Sequence, residues 1–219
     1  MIKDIVEKLP FWERLSPEQK ALVAERSSLR SFEANQVIAN TDNTCTGIVF
    51  IERGGIRASL LSDEGKEVTL FRLSNGECCV TTASCVIEQI SFNTLVTTTE
   101  QSMLLVVPAG VCEHLVATNI HVKAFMLEVE AERYSQVIRV LQQMLFKRLD
   151  QRVAAYLLAR SAAVHSAESK LTQDELARDI NSAHEAVTRV LHRLANDGLI
   201  EVKRGRILIL DAGRLSQMT

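Results

Sequence analysis

The sequence predicts an α+β protein in three parts: an N-terminal domain of short strands forming a small barrel or sandwich, a long helix, and a C-terminal winged helix-turn-helix. Three observations predict it. Short β-rich runs separated by turn signals fill residues 31–108. No Gly or Pro interrupts the stretch from Val122 to Leu149. Two short helical patterns joined by a tight turn are followed by a basic hairpin, all between Leu171 and Leu210. These periodicities separate strand from helix without further information. The expected boundaries are 1–118 for the strand-rich domain, 119–149 for the long helix and 150–219 for the winged domain.

Residues 1–30 read as short helices. Ser16-Pro17-Glu18 supplies an N-cap, a proline at the first helical position and an acid in the first turn. Leu15, Leu22 and Val23 give that helix an apolar stripe. Six runs then read as strands: Val37-Ile38, Ile48–Ile51, Ile56–Leu61, Val68–Leu73, Leu95-Val96 and Met103–Val107. Turns at Arg53-Gly54-Gly55, Ser62-Asp63-Glu64-Gly65 and Ser74-Asn75-Gly76 punctuate them. In Asp63-Glu64-Gly65-Lys66 the glycine takes the left-handed position of a hairpin loop. Many short strands at this spacing build a small barrel or sandwich.

The long helix carries Val122, Met126, Val129, Val137, Val140, Leu141, Met144 and Leu145 near a three/four spacing, and Arg133 interrupts the seam. A helix of this length spans about 40 Å, more than a small barrel can cover. Burial along its own domain is one reading; pairing with a second copy of itself is the preferred one.

In the last part, Thr172 caps a helix and Glu175 stands at N3, forming a capping box. After Asn181-Ser182 a second helix begins at Ala183-His184-Glu185, with Val187, Val190, Leu191 and Leu194 on one face. Asn196-Asp197-Gly198 ends it. Leu199–Val202 and Ile207–Leu210 flank the turn Lys203-Arg204-Gly205-Arg206.

The whole composition fits this plan. The chain has 219 residues, 47% hydrophobic and 24% charged, ordinary for a globular protein of one or two domains. No apolar run approaches the roughly 18–20 residues of a membrane span. The start, MIKDIVEKLP, carries Asp4 and Glu7 in place of the apolar centre of a secretory signal. A cytoplasmic protein without a membrane partner is expected. The net charge of −2 argues against a purely charge-driven nucleic-acid binder and leaves room for a local basic face. The five cysteines, Cys45, Cys78, Cys79, Cys85 and Cys112, are odd in number, so a disulfide framework is not expected.

Two helices, a tight turn and a basic hairpin suit double-stranded DNA. Arg189 can bond guanine in a bidentate fashion, Glu185 can accept from cytosine, and Thr188 can meet a thymine methyl or a phosphate. Lys203, Arg204 and Arg206 put three positive charges in four residues against the phosphate backbone. The candidate DNA contacts are therefore Thr172, Ser182, His184, Glu185, Thr188, Arg189, Lys203, Arg204 and Arg206. Taken alone, Glu185 and Arg189 also read as an exposed ion pair one helical turn apart, worth a few tenths of a kcal/mol. His192 reads as surface.

The stretch Leu171–Asp211 resembles the winged helix-turn-helix of the Crp/Fnr family of bacterial transcription regulators, through Glu185-Ala186-Val187-Thr188-Arg189. The hydroxyl residue before the arginine is closer to the Fnr branch. Gly54, Asp63-Glu64-Gly65-Lys66-Glu67 and Gly76-Glu77 resemble the cyclic-nucleotide-binding β-roll of that family. The helix after Pro108 resembles its dimerisation helix. The resemblance implies a homodimer that binds a near-palindromic site through two recognition helices, whose half-sites lie about 34 Å apart. RNA polymerase is a further candidate partner. A signal in the β-roll would then shift the population between arrangements of the long helix and a hinge near Leu149–Arg152.

The sensor chemistry departs from the cyclic-nucleotide pattern. Cyclic-nucleotide binders of this family hold the phosphate with Arg-Ser; Phe92-Asn93-Thr94 stands there, and residues 76–102 contain no Arg or Lys. A buried phosphate needs a paired cation, so cyclic AMP and cyclic GMP are not expected to bind tightly. No cysteine precedes Cys45, unlike the family's Fe–S sensors; Cys45, Cys78, Cys79 and Cys85 would form a cluster only by converging. The segment from Gly76 to Cys85 resembles the family's haem-containing carbon-monoxide sensor, without that sensor's histidine two residues after its ligating cysteine. Haem is thus one cofactor reading, with a cysteine, His114 or His121 as ligand. Cys78, Cys79 and Cys85 as a thiol sensor is another, and small buried apolar residues a third. The metal and the effector stay open. No nucleophile–base signature or phosphate loop marks an enzyme; a ligand-binding module without DNA function is the alternative class.

Overall fold

Alternating burial along short strands and a change to helical period near residue 108 shape the first of two units. The computed structural model describes residues 2–40, 47–62, 65, 67–80 and 94–219. The chain divides into two compact units, 1–66 with 70–137, and 67–69 with 138–219.

The first unit opens with α1 (Ile2–Val6), a 3-10 turn (Trp12–Arg14) and α2 (Pro17–Arg26). Ser16 caps α2, its hydroxyl accepting the Gln19 N–H at 3.3 Å while Gln19 Oε1 accepts the Ser16 N–H at 3.0 Å. The strands follow: β1 (Ser28–Phe32), β2 (Val37–Asn40), β3 (Ile48–Arg53), β4 (Gly55–Leu61), β5 (Glu67–Ser74), β6 (Cys78–Cys79), β7 (Thr94–Thr98) and β8 (Ser102–Val107). They form two four-stranded sheets, ordered β1-β8-β3-β6 and β2-β7-β4-β5. All six expected strands are present. Two were not foreseen: β1, which starts within the stretch read as helical, and the two-residue β6. β1 forms because β8 templates it antiparallel from Ser28↔Val106 to Phe32↔Ser102. A non-local pairing of this kind leaves little trace in local sequence. Gly65 has φ 79°, as the hairpin reading requires; Asp63, Glu64 and Lys66 lie outside the described residues.

Val49, Ile51, Ile56, Ala58, Phe71, Leu73, Val96, Leu104 and Val106 fill the space between the sheets. The opposite face of β3 and β8, with Ile48, Phe50, Leu105 and Val107, is covered by helices. These are α1, α2, α3 (Ala109–Thr118) and the start of α4 (Ile120–Phe146), through Val6, Val23, Cys112, Leu115, Val122 and Met126. Burial on both faces explains why β3 and β8 read as nearly continuous apolar runs.

α4 is the expected long helix, with 27 residues. It ends at Phe146, and α5 (Leu149–Val164) begins after Lys147-Arg148. The break therefore precedes Leu149–Arg152, the expected hinge, which forms the first turn of α5. The Arg148 N–H donates to Gln151 Oε1 at 3.0 Å, and Asp150 Oδ1 accepts the Gln151 N–H at 3.0 Å, which starts the new helix. The second unit continues with β9 (Glu168–Lys170), α6 (Gln173–Asp179), α7 (His184–Asn196), β10 (Ile200–Lys203), β11 (Arg206–Ile209) and α8 (Ala212–Ser216). Its sheet runs β10-β11-β9. Val153, Leu157, Leu176, Val187, Leu191, Leu194, Ile200 and Ile207 form its core.

Candidate nucleic-acid interface

α7 is strongly two-sided. Val187, Leu191 and Leu194 are fully buried, and each such burial stabilises the helix by roughly 1.5–3 kcal/mol. The opposite face is exposed at His184, Glu185, Arg189 and His192. The turn before α7 is fixed from α5. The Arg152 guanidinium donates to the Ile180 carbonyl and, at 3.3 Å, to that of Asn181. Asn181 itself has φ 53°, the left-handed region that a short polar side chain tolerates. The Tyr156 hydroxyl donates to Asp179 Oδ2 at 2.5 Å, joining α5 to the end of α6. Burial, then that bond, hold the Tyr156 phenol well above its usual range.

Near its other end α7 is tied down by charge. Arg193 Nη2 lies 2.7 Å from Asp150 Oδ2, and Arg148 Nη2 lies 2.5 Å from the same oxygen. The Asp150 carboxylate is buried. Burial alone would raise its pKa; hydrogen bonds from Arg148, the Gln151 N–H and Arg193 outweigh that and hold it below the usual carboxylate range.

The candidate contacts divide into two groups. Thr172, His184 and Thr188 are engaged within the protein. Thr172 Oγ1 accepts the Glu175 N–H at 3.1 Å, and Glu175 Oε2 accepts the Thr172 N–H at 2.7 Å, completing the expected capping box. His184 Nδ1 lies 2.7 Å from Asp174 Oδ1, and the Thr188 hydroxyl donates to Gln173 Oε1 at 2.7 Å. Gln173 and Asp174 thus join the site from the first turn of α6. Sequence reading missed them, although the cap that aims them at α7 was visible. Ser182 is half-buried, its N–H donating to the Ala177 carbonyl at 2.9 Å.

Glu185 and Arg189 form the second group. Among the described residues they pair neither with each other nor with any neighbour. The exposed ion pair that the sequence allowed is not formed, and both side chains are free to meet a partner.

The wing is the β10–β11 hairpin. Its register runs from Ile200↔Ile209 to Lys203↔Arg206, and Gly205 turns it with φ 72°. Its three cations are not equivalent. Lys203 Nζ lies 2.8 Å from Glu201 Oε2, and Arg206 Nη1 lies 3.4 Å from Glu168 Oε1. Arg204 is exposed and, among the described residues, has no carboxylate partner.

In the first unit, β6 separates its two cysteines. Cys78 faces the helix-covered core and Cys79 the space between the sheets; they are 4% and 1% exposed. Burial, reinforced by Cys79, pushes the Cys78 thiol up to about 12, and Cys112 is pushed up to about 11, again chiefly by burial. A protonated, shielded thiol is inert, and burial in two different cores favours the packing reading of Cys78 and Cys79 over the thiol-sensor one. Cys45, Cys85 and the short helix expected near Thr81 lie outside the described residues. His114 and His121 are both exposed, and no group of three metal-binding side chains forms among the described residues. Residues 76–102 hold no Arg or Lys, and Glu77 Oε2 accepts from the Ser74 N–H and hydroxyl at 2.8 and 3.0 Å, closing the turn after β5.

Comparison with known proteins matches this geometry. Residues 29–119 match the cyclic nucleotide-binding domain model and residues 151–218 the Crp-like helix-turn-helix domain model. A transcriptional regulator of the Crp/Fnr family from Eubacterium rectale is 31% identical, with a TM-score of 0.88 over 97% of this chain and 98% of the other. This chain belongs to the Crp/Fnr family of transcriptional regulators. Transcriptional regulator SdrP of Thermus thermophilus is 37% identical over 94 residues, which are 40% of this chain and 45% of SdrP. FixK2 from Bradyrhizobium japonicum shares the Crp/Fnr fold at 15% identity, with a TM-score of 0.71 over 88% of this chain and 96% of FixK2. The α4 helix of this Crp/Fnr chain is outside both matched segments, as is Arg133, the one buried cation among the described residues.

Proposed function

We propose that this chain is a homodimeric, sequence-specific DNA-binding regulator rather than an enzyme. It would read a near-palindromic site with α7 and hold the phosphate backbone with the wing. The observation that carries this reading is the free pair Glu185 and Arg189, on a helix whose other face is core. Arg189 reads a guanine and Glu185 a neighbouring cytosine. Arg204 binds phosphate directly; Lys203 and Arg206 do so by exchanging a carboxylate for it. Thr172, His184 and Thr188 chiefly position α7 against α6. The domain plan remains 1–118, 119–149 and 150–219, in the cytoplasm, with RNA polymerase as a further candidate partner.

The dimer reading gains support from α4. Ile120, Leu127, Tyr134 and Leu141 recur every seven residues, and Ala124, Ala131, Ile138 and Leu145 fill the alternate positions. Leu127 and Tyr134 are 60% and 70% exposed. That is the a/d pattern of a two-stranded coiled coil, with Ala at the a positions of the first half allowing close approach. A population shift between dimer arrangements, transmitted across the break at Lys147-Arg148, would set the spacing of the two α7 helices.

Selection of bound duplexes from a randomised pool, followed by fluorescence anisotropy on the enriched sequence, tests the reading. A twofold-symmetric site bound about a thousandfold or more above random DNA is expected. Equal binding to enriched and random duplexes would end it.

A further inference from the structure

We propose that Asp174 is a positioning residue for DNA recognition, which acts through His184 and makes binding depend on one proton per α7 helix. The proposal rests on the DNA-binding reading above and adds to it a proton taken up where α6 meets α7.

His184 opens α7 and reaches back to the first turn of α6. Its Nδ1 lies 2.7 Å from Asp174 Oδ1. Its Nε2 lies 3.4 Å from Thr188 Oγ1, one turn along the same helix. The Thr188 hydroxyl hydrogen is committed to Gln173 Oε1 at 2.7 Å, so Thr188 turns a lone pair towards the ring. The carboxylate of Asp174 offers lone pairs alone. Both ring nitrogens thus face acceptors, and only the doubly protonated imidazolium supplies two donors. Asp174 is the one charged side chain within ion-pair distance of the ring among the described residues. Glu185 and Arg189, its charged neighbours on α7, make no contact with it. Arg178, the next cation along α6, stands one turn beyond Asp174.

In the free chain the pair is open to water, 50% exposed at the His184 side chain and 74% at that of Asp174. Water and salt screen an ion pair this open. A bound duplex changes its surroundings. The first helix of a helix-turn-helix crosses the DNA backbone, which brings phosphates to α6 and drives water out. An ionised Asp174 beside a neutral His184 would then repel those phosphates. The imidazolium cancels the carboxylate and leaves α6 free to approach, and the lower local dielectric strengthens both effects. Binding therefore takes up a proton at His184. By linkage, affinity is greatest in acid and is lost as pH rises through the range where the bound ring gives up its proton.

The test is fluorescence anisotropy of the full chain on its enriched duplex, at fixed ionic strength, between about pH 5 and 8. The dissociation constant should rise by up to about tenfold per pH unit for each α7 engaged. His184→Gln should remove this response. Asp174→Asn should flatten it and should bind more tightly than the parent at about pH 8, because the repelling charge is gone. An Asp174 with a merely structural role would instead give weaker binding at every pH in that variant. Carbon-13 spectra of the histidine rings, with His184→Gln assigning the signal by its disappearance, should show His184 keeping its proton to higher pH with duplex than without. A parent whose affinity does not change with pH would overturn the proposal. So would a pH response that survives in His184→Gln. Enriched and random duplexes bound alike at every pH would sink the DNA-binding reading itself, and the proposal with it.

Discussion

At the residue scale, the helix-turn-helix separates side chains that build the site from those left to use it. Thr188 and His184 are drawn to Gln173 and Asp174, whereas Glu185 and Arg189 remain unpaired. Arg189→Ala should therefore cost about 1–3 kcal/mol at one base pair and relax the preference there, read by anisotropy on a set of single-base variants. A uniform loss over all sequences would instead make Arg189 a phosphate contact. Asp150 sets an acid limit on the same unit. Its carboxylate is lowered in the folded state, so its contribution is present above the ordinary aspartate value of 3.8 and is lost as pH falls through the folded value. Asp150→Asn should cost about 1–3 kcal/mol at neutral pH. Its unfolding midpoint should then fall less steeply with acid than the parent's, by circular dichroism.

At the element scale, α4 combines two faces that periodicity alone merged into one. Val122, Met126 and Val129 belong to the core of the first unit, while Ile120, Leu127, Tyr134 and Leu141 lie on another face and stay exposed. Leu127→Glu would put two like charges together across the proposed coiled coil. Sedimentation equilibrium should show its dimer dissociating at concentrations about tenfold higher or more, with the helical content kept. An unchanged dimer would move the interface off this face. The wing makes a separate prediction. Each phosphate neutralised contributes about 0.9 to the salt slope of binding. Arg204→Gln should flatten that slope by about this amount per wing engaged, and Lys203→Gln by less, because Lys203 already neutralises Glu201.

At the scale of the whole molecule, a domain that matches the cyclic nucleotide-binding model carries no Arg or Lys in residues 76–102 and is followed by a winged domain. Isothermal titration of the full chain with cyclic AMP should show no micromolar binding; a saturating isotherm would place a phosphate partner outside residues 76–102. Much of this plan is local and therefore legible in one dimension. Six strands, the capping box of α6, the two-sided pattern of α7 and the basic turn follow from side-chain period, hydroxyl caps and glycine, which act over a few residues. The strand β1 was not legible, because β8 templates it from about seventy residues away in sequence. Nor were Gln173 and Asp174, or the burial of Cys78 and Cys79 in two different cores. The sequence by itself determined which elements form and which residue types stand ready for DNA. Only the tertiary structure decided which of those residues are already partnered and which apolar face of α4 is left uncovered. Partnering and burial depend on chain segments far apart in sequence, and local period carries no record of them.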